Sequence, residues 1–158
     1  MTLGLVLSGV TAANADEQIL QLWDERYLTL RAGATAQMSV RASVREGYAV
    51  IARAEPGSTF LALSLELEEA APLGLGKPVY PESEPGAGIV AGAPASLRVY
   101  RGTIVIRFAV TAPAGVEPGP HVINGLLSYQ ACDAQRCLPA MAHPVELIVT
   151  IRDKPPEL

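Results

Sequence analysis

From Tyr27 onward the chain alternates apolar and polar residues with a period of two, the pattern of strands that turn one face to a core and the other to water. Eight segments carry it. Residues 27–31 are followed by 37–44, where Met38, Val40, Ala42 and Val44 share a face, and by 47–53. Residues 59–67 are the clearest case, with Leu61, Leu63, Leu65 and Leu67 alternating with Ala62, Ser64 and Glu66. Segments 96–100, 103–110 (Ile104, Ile106, Phe108), 122–131 and 145–152 (Val145, Leu147, Val149, Ile151) complete the set. Eight short, turn-linked strands predict an all-β domain built as a two-sheet sandwich.

Between Glu68 and Ala95 the alternation stops in a long Gly/Pro-rich stretch that excludes regular structure over most of its length. Two readings of it stay open, a flap over a site and a variable surface insertion. At the start, residues 1–15 form an apolar stretch ending in Ala13-Asn14-Ala15, the small-residue pattern of a secretory cleavage site, although no Lys or Arg precedes it. The alternative makes Asn14 a helix N-cap with Glu17 three residues on, opening a short helix through Ile19, Leu20 and Trp23. The expected organisation is a signal or N-terminal extension over 1–23, a sandwich domain over 24–152, and an exit linker over 153–158 that contains Pro155-Pro156.

At 158 residues the chain is long enough to fold as one domain without a metal or cross-link. Its net charge of −4, with 12 basic residues scattered and no basic run, argues against nucleic acid as a partner. Hydrophobic residues reach 49%, yet no apolar run approaches the roughly 20 residues of a membrane-spanning helix.

The candidate chemistry lies in Leu127 to Ala140, LSYQACDAQRCLPA, which holds both cysteines of the chain. If Asp133, Ala134, Gln135 and Arg136 make a four-residue hairpin loop, Cys132 and Cys137 face each other at a separation a disulfide bridges. Closing so short a loop contributes only about 2 kcal/mol in the chain-entropy model, so the bond is a weak staple. An exchange site instead needs adjacent sulfurs near the surface, which a loop tip supplies. Arg136 favours a thiolate beside it and Asp133 opposes one. The spacing is not C-x-x-C and no βαβ pattern surrounds it, so a thioredoxin fold is not expected. On the residues alone a structural disulfide is the favoured reading and a redox pair the runner-up.

A resemblance shifts that balance. Gly47-Tyr48, Gly76-Lys77-Pro78-Val79-Tyr80-Pro81, Leu97-Arg98-Val99-Tyr100 and above all Tyr129-Gln130-Ala131-Cys132 with Cys137-Leu138-Pro139 resemble the periplasmic N-terminal domain of the thiol:disulfide interchange protein DsbD. The resemblance spans most of the chain, with one residue fewer between the cysteines than in the best-known member. It implies an immunoglobulin-like sandwich in the periplasm or another extracytoplasmic space, and a protein-disulfide reductase activity of the kind that serves cytochrome c biogenesis. Cys132 and Cys137 would take electrons from a thioredoxin-like donor and pass them to client thiol proteins, with a membrane-embedded parent or partner and no cofactor. Cys137 would be the sulfur that pairs with partners. In that family an aromatic residue caps the disulfide, which points to Tyr80, the one aromatic between Glu68 and Ala95; an ordinary turn tyrosine is the competing reading. Tyr129 and Gln130 would flank the site, chiefly as residues that hold the hairpin.

Two rivals remain. One is an immunoglobulin-like binding or spacer module with a permanent disulfide. The other is a soft-metal site, because Cys132, Cys137, Met141 and His143 lie close in sequence and offer thiolate, thioether and imidazole. Against it, Met141 reads as a core residue, His143 before Pro144 as a turn residue, and His121 as a strand entry.

Overall fold

The computed structural model describes residues 19–23 and 26–153. The signal reading of residues 1–15 and most of the linker reading of 153–158 lie outside them. All the regular elements described are strands: β1 (Leu20–Leu22), β2 (Tyr27–Arg31), β3 (Thr35–Val44), β4 (Ala49–Arg53), β5 (Ser64–Leu67), β6 (Gly74–Leu75), β7 (Glu84–Pro85), β8 (Arg98–Tyr100), β9 (Thr103–Thr111), β10 (Gly119–Tyr129), β11 (Ala131–Cys132) and β12 (Met141–Arg152). No helix long and apolar enough to cross a membrane occurs among the described residues.

The all-β class is the one the alternation predicts, and the strands form three hydrogen-bonded sheets, ordered β1-β3-β9-β6, β2-β12-β10-β5 and β11-β4-β8-β7. The first two stack as the sandwich. Met38, Val40, Ala42 and Val44 of β3 and Ile104, Ile106, Phe108 and Val110 of β9 share one buried cluster with Ile123 and Leu127 of β10 and Val145, Leu147, Val149 and Ile151 of β12. The pairing is antiparallel except between β12 and β2. The third sheet grows out of the first at two tight corners, where Gly47 (φ 88°) and Gly102 (φ 74°) adopt left-handed backbone that a side chain resists. Val44 N donates to Gly102 O (2.7 Å), closing the corner.

The third sheet positions the site, because both of its faces are buried. Val50, Tyr100 and Ala131 point into the main core. Their neighbours Ala49, Ile51, Val99 and Cys132 point the other way, into a second cluster with Val90 and Leu97. This is the period-two rule of a strand applied to a sheet with apolar cover on each side.

Three expectations need correction. Leu20–Leu22 is strand β1, paired with β3 from Leu20↔Val44 to Leu22↔Ala42, so the helix through Ile19, Leu20 and Trp23 is not formed and the sheet begins ahead of the expected boundary at 24. The leucine strand is shorter than 59–67: Leu63 and Leu65 are buried, but Leu61 is 40% exposed. Before Ser64 the chain leaves β10, with Leu63 N donating to Ile51 O and Leu61 N to the Gln130 side chain, so the alternation there follows side-chain chemistry and not a ladder. Finally, His143 and Pro144 lie inside β12, not in a turn. Pro144 is tolerated because β2 joins β12 only from Ile148 onward, leaving the proline on an open edge.

Candidate functional site

Cys132 and Cys137 are joined in a disulfide with Cα atoms 3.9 Å apart, and both are accounted for. The hairpin that holds them forms as its sequence directs. Leu138 N donates to Ala131 O (2.8 Å) and Asp133 N to Arg136 O (2.9 Å), so the two cysteines face each other between these rungs. The Asp133 carboxylate accepts from the amides of Gln135 (2.8 Å) and Arg136 (2.7 Å), an Asx turn that shapes the tip. Those amide bonds, Arg136's first and Gln135's next, hold the Asp133 carboxyl below its ordinary range. Its charge is therefore committed to the turn.

The chain reaches this hairpin by changing sheets at Gln130. Tyr129 ends β10 in the second sheet, and Ala131–Cys132 pairs with Val50 and Ala49 of β4 in the third. Gln130 fixes the crossing: its carbonyl accepts from Ile51 N (3.0 Å), its side-chain oxygen from Leu61 N (2.8 Å), and its side-chain amide donates to Leu138 O (3.1 Å). Gln130 thus clamps three segments around the hairpin, a positioning role. Tyr129 is buried, which raises its phenol above the ordinary value. Its ring faces the main core, away from the sulfurs, and its hydroxyl lies 3.3 Å from His143 Nε2.

The two sulfurs occupy unequal environments. Cys132 is 0% exposed among Ala49, Ile51, Val90, Leu97 and Val99. Cys137 is only half-buried, packed at the margin of the same cluster, which Phe60, Ile89 and Ala93 also border. The Gly/Pro-rich stretch supplies this cover. Residues 86–97 form a compact loop whose ends are pinned by Gly86 N donating to Leu97 O (2.7 Å), and which brings Ile89, Val90 and Ala93 to the apolar cluster that contains Cys132. Gly86 permits this close approach, since a Cβ would meet Leu97 O and its side chain at 3.1 Å and one of them would have to give way.

Of the residues singled out from the sequence, the structure brings Cys132, Cys137, Asp133, Arg136 and Gln130 together at the hairpin. Tyr80 is elsewhere. Its hydroxyl accepts from Leu65 N (2.9 Å) and it lines a cleft with Arg53, Arg98 and Tyr100; the aromatic in the disulfide cluster is Phe60. Met141, 49% exposed and so not a core residue, gathers with His143 at the Tyr129 hydroxyl while the cysteine sulfurs are bonded to each other, so the four soft ligands do not converge. His121 lies near the start of β10, with its Nε2 2.9 Å from Glu117 O. The sequence reading missed Phe60, Ile89 and Val90. Their one signal was the isolated Ile89-Val90 pair inside a Gly-rich run, an apolar spot where a solvated loop has none.

No family model matches the chain, and no curated protein matches it. Among solved structures the chain is similar to the N-terminal domain of DsbD from Neisseria meningitidis in its reduced form, at 19% identity over 73% of this chain and 79% of that one, with a TM-score of 0.46. It is also similar to the N-terminal periplasmic domain of ScsB from Proteus mirabilis, at 13% identity over 81% of this chain and 44% of that one (TM-score 0.45). The major subunit AggA of aggregative adherence fimbriae from Escherichia coli gives 10% identity over 84% and 93% of the chains (TM-score 0.46). Likenesses of this strength leave the function to the chemistry of the site.

Proposed function

We propose that the chain is a thiol–disulfide interchange domain whose Cys132–Cys137 disulfide opens and closes during electron transfer between partner proteins. The observation that carries this reading is the asymmetry of the pair: a half-buried Cys137 at a hairpin tip, bonded to a wholly buried Cys132 that shares an apolar cluster with Val90 and Leu97 of the 86–97 loop. Exchange needs one sulfur that an incoming thiolate reaches in line and a second that stays adjacent as leaving group.

In the reduction half-reaction a partner thiolate attacks Cys137 Sγ, the Cys132–Cys137 bond breaks, and Cys132 leaves as a thiolate that takes a proton. The partner's second thiol then attacks the mixed disulfide, leaving the partner oxidised and both cysteines reduced. The reverse sequence reduces a client disulfide and re-forms Cys132–Cys137, so electrons balance without a cofactor. By the sequence resemblance, the partners we propose are a thioredoxin-like donor and extracytoplasmic thiol clients, with a membrane-embedded parent or partner. Gln130 and the Asp133 turn keep both sulfurs within bonding distance through the cycle; Arg136 lies on the exposed rim where a partner docks.

A permanent disulfide in an immunoglobulin-like module is the second reading, favoured by the complete burial of Cys132. The reduction potential separates the two. Equilibration in glutathione and dithiothreitol buffers is expected to give a value between roughly −180 and −270 mV, the range of exchange proteins. A value well below about −300 mV, with no exchange against a thioredoxin-like dithiol, would overturn the proposal.

A further inference from the structure

At the other end of β4 from the disulfide, a cleft of about 790 Å³ opens between the third sheet and the segment carrying Tyr80. It collects hydrogen-bond donors with few acceptors to match. Arg53 and Arg98 stand directly opposite each other across the β4–β8 register, at the irregularity that follows Ile51. Like charges in that relation repel, and strands avoid the arrangement unless something neutralises it. Among the described residues no ion pair or hydrogen bond engages the Arg53 side chain, which is exposed. Arg98 spends one side of its guanidinium on Ser83, through Nε to the hydroxyl (3.0 Å) and Nη2 to the carbonyl. That leaves Nη1 and the rest of the fork for another partner.

The phenols add to this. Tyr80 Oη already accepts from Leu65 N, so its own proton has no acceptor among the described residues. Tyr100, buried, donates to Pro81 O (3.2 Å). Its phenol is raised by burial and then by Tyr80, while Arg53 works in the opposite direction, as expected for three groups crowded at one spot. Glu82 is the one acid in the lining and pairs with neither arginine among the described residues. Two arginines and one glutamate leave the lining with a single net positive charge, and Glu84, paired with Arg101, lies close enough to Arg98 to feel its charge, so the cleft suits a monoanion better than a dianion. Leu63 and Ala52 provide an apolar wall.

We propose that the Arg53–Arg98–Tyr80 cleft binds a carboxylate, the guanidinium forks taking its two oxygens and the Tyr80 hydroxyl donating a further bond. The carboxylate comes either from a free organic acid or from the C-terminus of a peptide. This site is separate from the disulfide and stands whether or not the interchange reading holds.

The test uses the oxidised domain in solution, with amide resonances around Arg53, Tyr80 and Arg98 followed by NMR. The probes are benzoate, inorganic phosphate, and one short N-acetylated peptide with a free or an amidated C-terminus. The expected result is saturable shifts with benzoate or the free-acid peptide, weaker binding of phosphate, and no binding of the amidated peptide. Arg53→Gln is expected to lose at least about tenfold in affinity, and Tyr80→Phe a smaller part, as deletion of hydrogen bonds to a charged group predicts. Arg53 is exposed and its removal relieves the repulsion from Arg98, so the R53Q variant is expected to unfold at the same temperature as the parent or slightly above it, and lost binding then does not reflect lost folding. If the peptide binds more tightly than benzoate, the ligand is a chain terminus; if benzoate binds more tightly, it is a free acid. No saturable shift with either probe at concentrations up to about 10 mM, or equal affinity in R53Q, would overturn the proposal.

Discussion

Replacing one cysteine at a time turns the asymmetry of the disulfide into a rate. Cys132→Ala leaves the half-buried Cys137 thiol; Cys137→Ala leaves the Cys132 thiol, 0% exposed beneath residues 86–97. A reagent reaches Cys132 only after that loop lifts and exposes Val90 and Leu97, which are 4% and 1% exposed in the closed fold. At about 1.5–3 kcal/mol for each fully buried aliphatic side chain, opening costs about 3–6 kcal/mol. With a factor of ten for each 1.4 kcal/mol, Cys132 is protected by about 10²- to 10⁴-fold relative to a freely exposed thiol. Stopped-flow reaction of each variant with a chromogenic aryl disulfide at one pH is therefore expected to show Cys137 reacting about 100-fold faster or more. Val90→Ala in the Cys137→Ala background is expected to recover part of the difference, because it weakens the loop's hold by removing buried methyl groups. Rates for the two single variants within about threefold, or a faster Cys132, would refute the reasoning, since the loop would then not shield the buried sulfur.

Reduction of the disulfide is expected to leave the domain folded and to lower its stability by about 2 kcal/mol, the entropy of so short a loop; urea denaturation with and without dithiothreitol measures it, and unfolding on reduction would show the bond to be a structural staple. Gly125→Ala is expected to destabilise by about 1–3 kcal/mol in the same assay, because its Cβ would lie 2.9 Å from Glu66 O and force β5 away from β10; a neutral effect would mean that β5 yields freely. The Asp133 carboxyl is held below its ordinary range, so its stabilisation of the tip is present above the unfolded-state value and lost as pH falls through the folded one. Hydrogen exchange at the Gln135 and Arg136 amides, corrected for intrinsic rates, is expected to lose protection over that acidic window in the parent but not in Asp133→Asn; equal profiles would remove the carboxylate from the turn.

Much of this molecule was legible in the sequence because strand alternation is local. Side chains two apart share a face wherever the chain is extended, so Met38 to Val44, Ile104 to Phe108 and Val145 to Ile151 declared their buried faces without reference to any partner strand. The cysteine hairpin was legible for the same reason: four loop residues, with an Asp that folds back on the next amides, fix the geometry within a few bonds. What tertiary structure decided is everything that depends on contacts between distant segments. Alternation says that Ala49, Ile51 and Cys132 lie on one face and Val50 and Ala131 on the other, but not that both faces are covered. That cover comes from Phe60 and from residues 86–97, the latter more than 30 positions from both β4 and Cys132. The departure of Leu61 from its expected face, the placement of Tyr80 away from the disulfide, and the meeting of Arg53 with Arg98 across a strand irregularity arise in the same way. The free energy of such long-range contacts depends on which surfaces the fold brings together, and no periodicity within a segment encodes that.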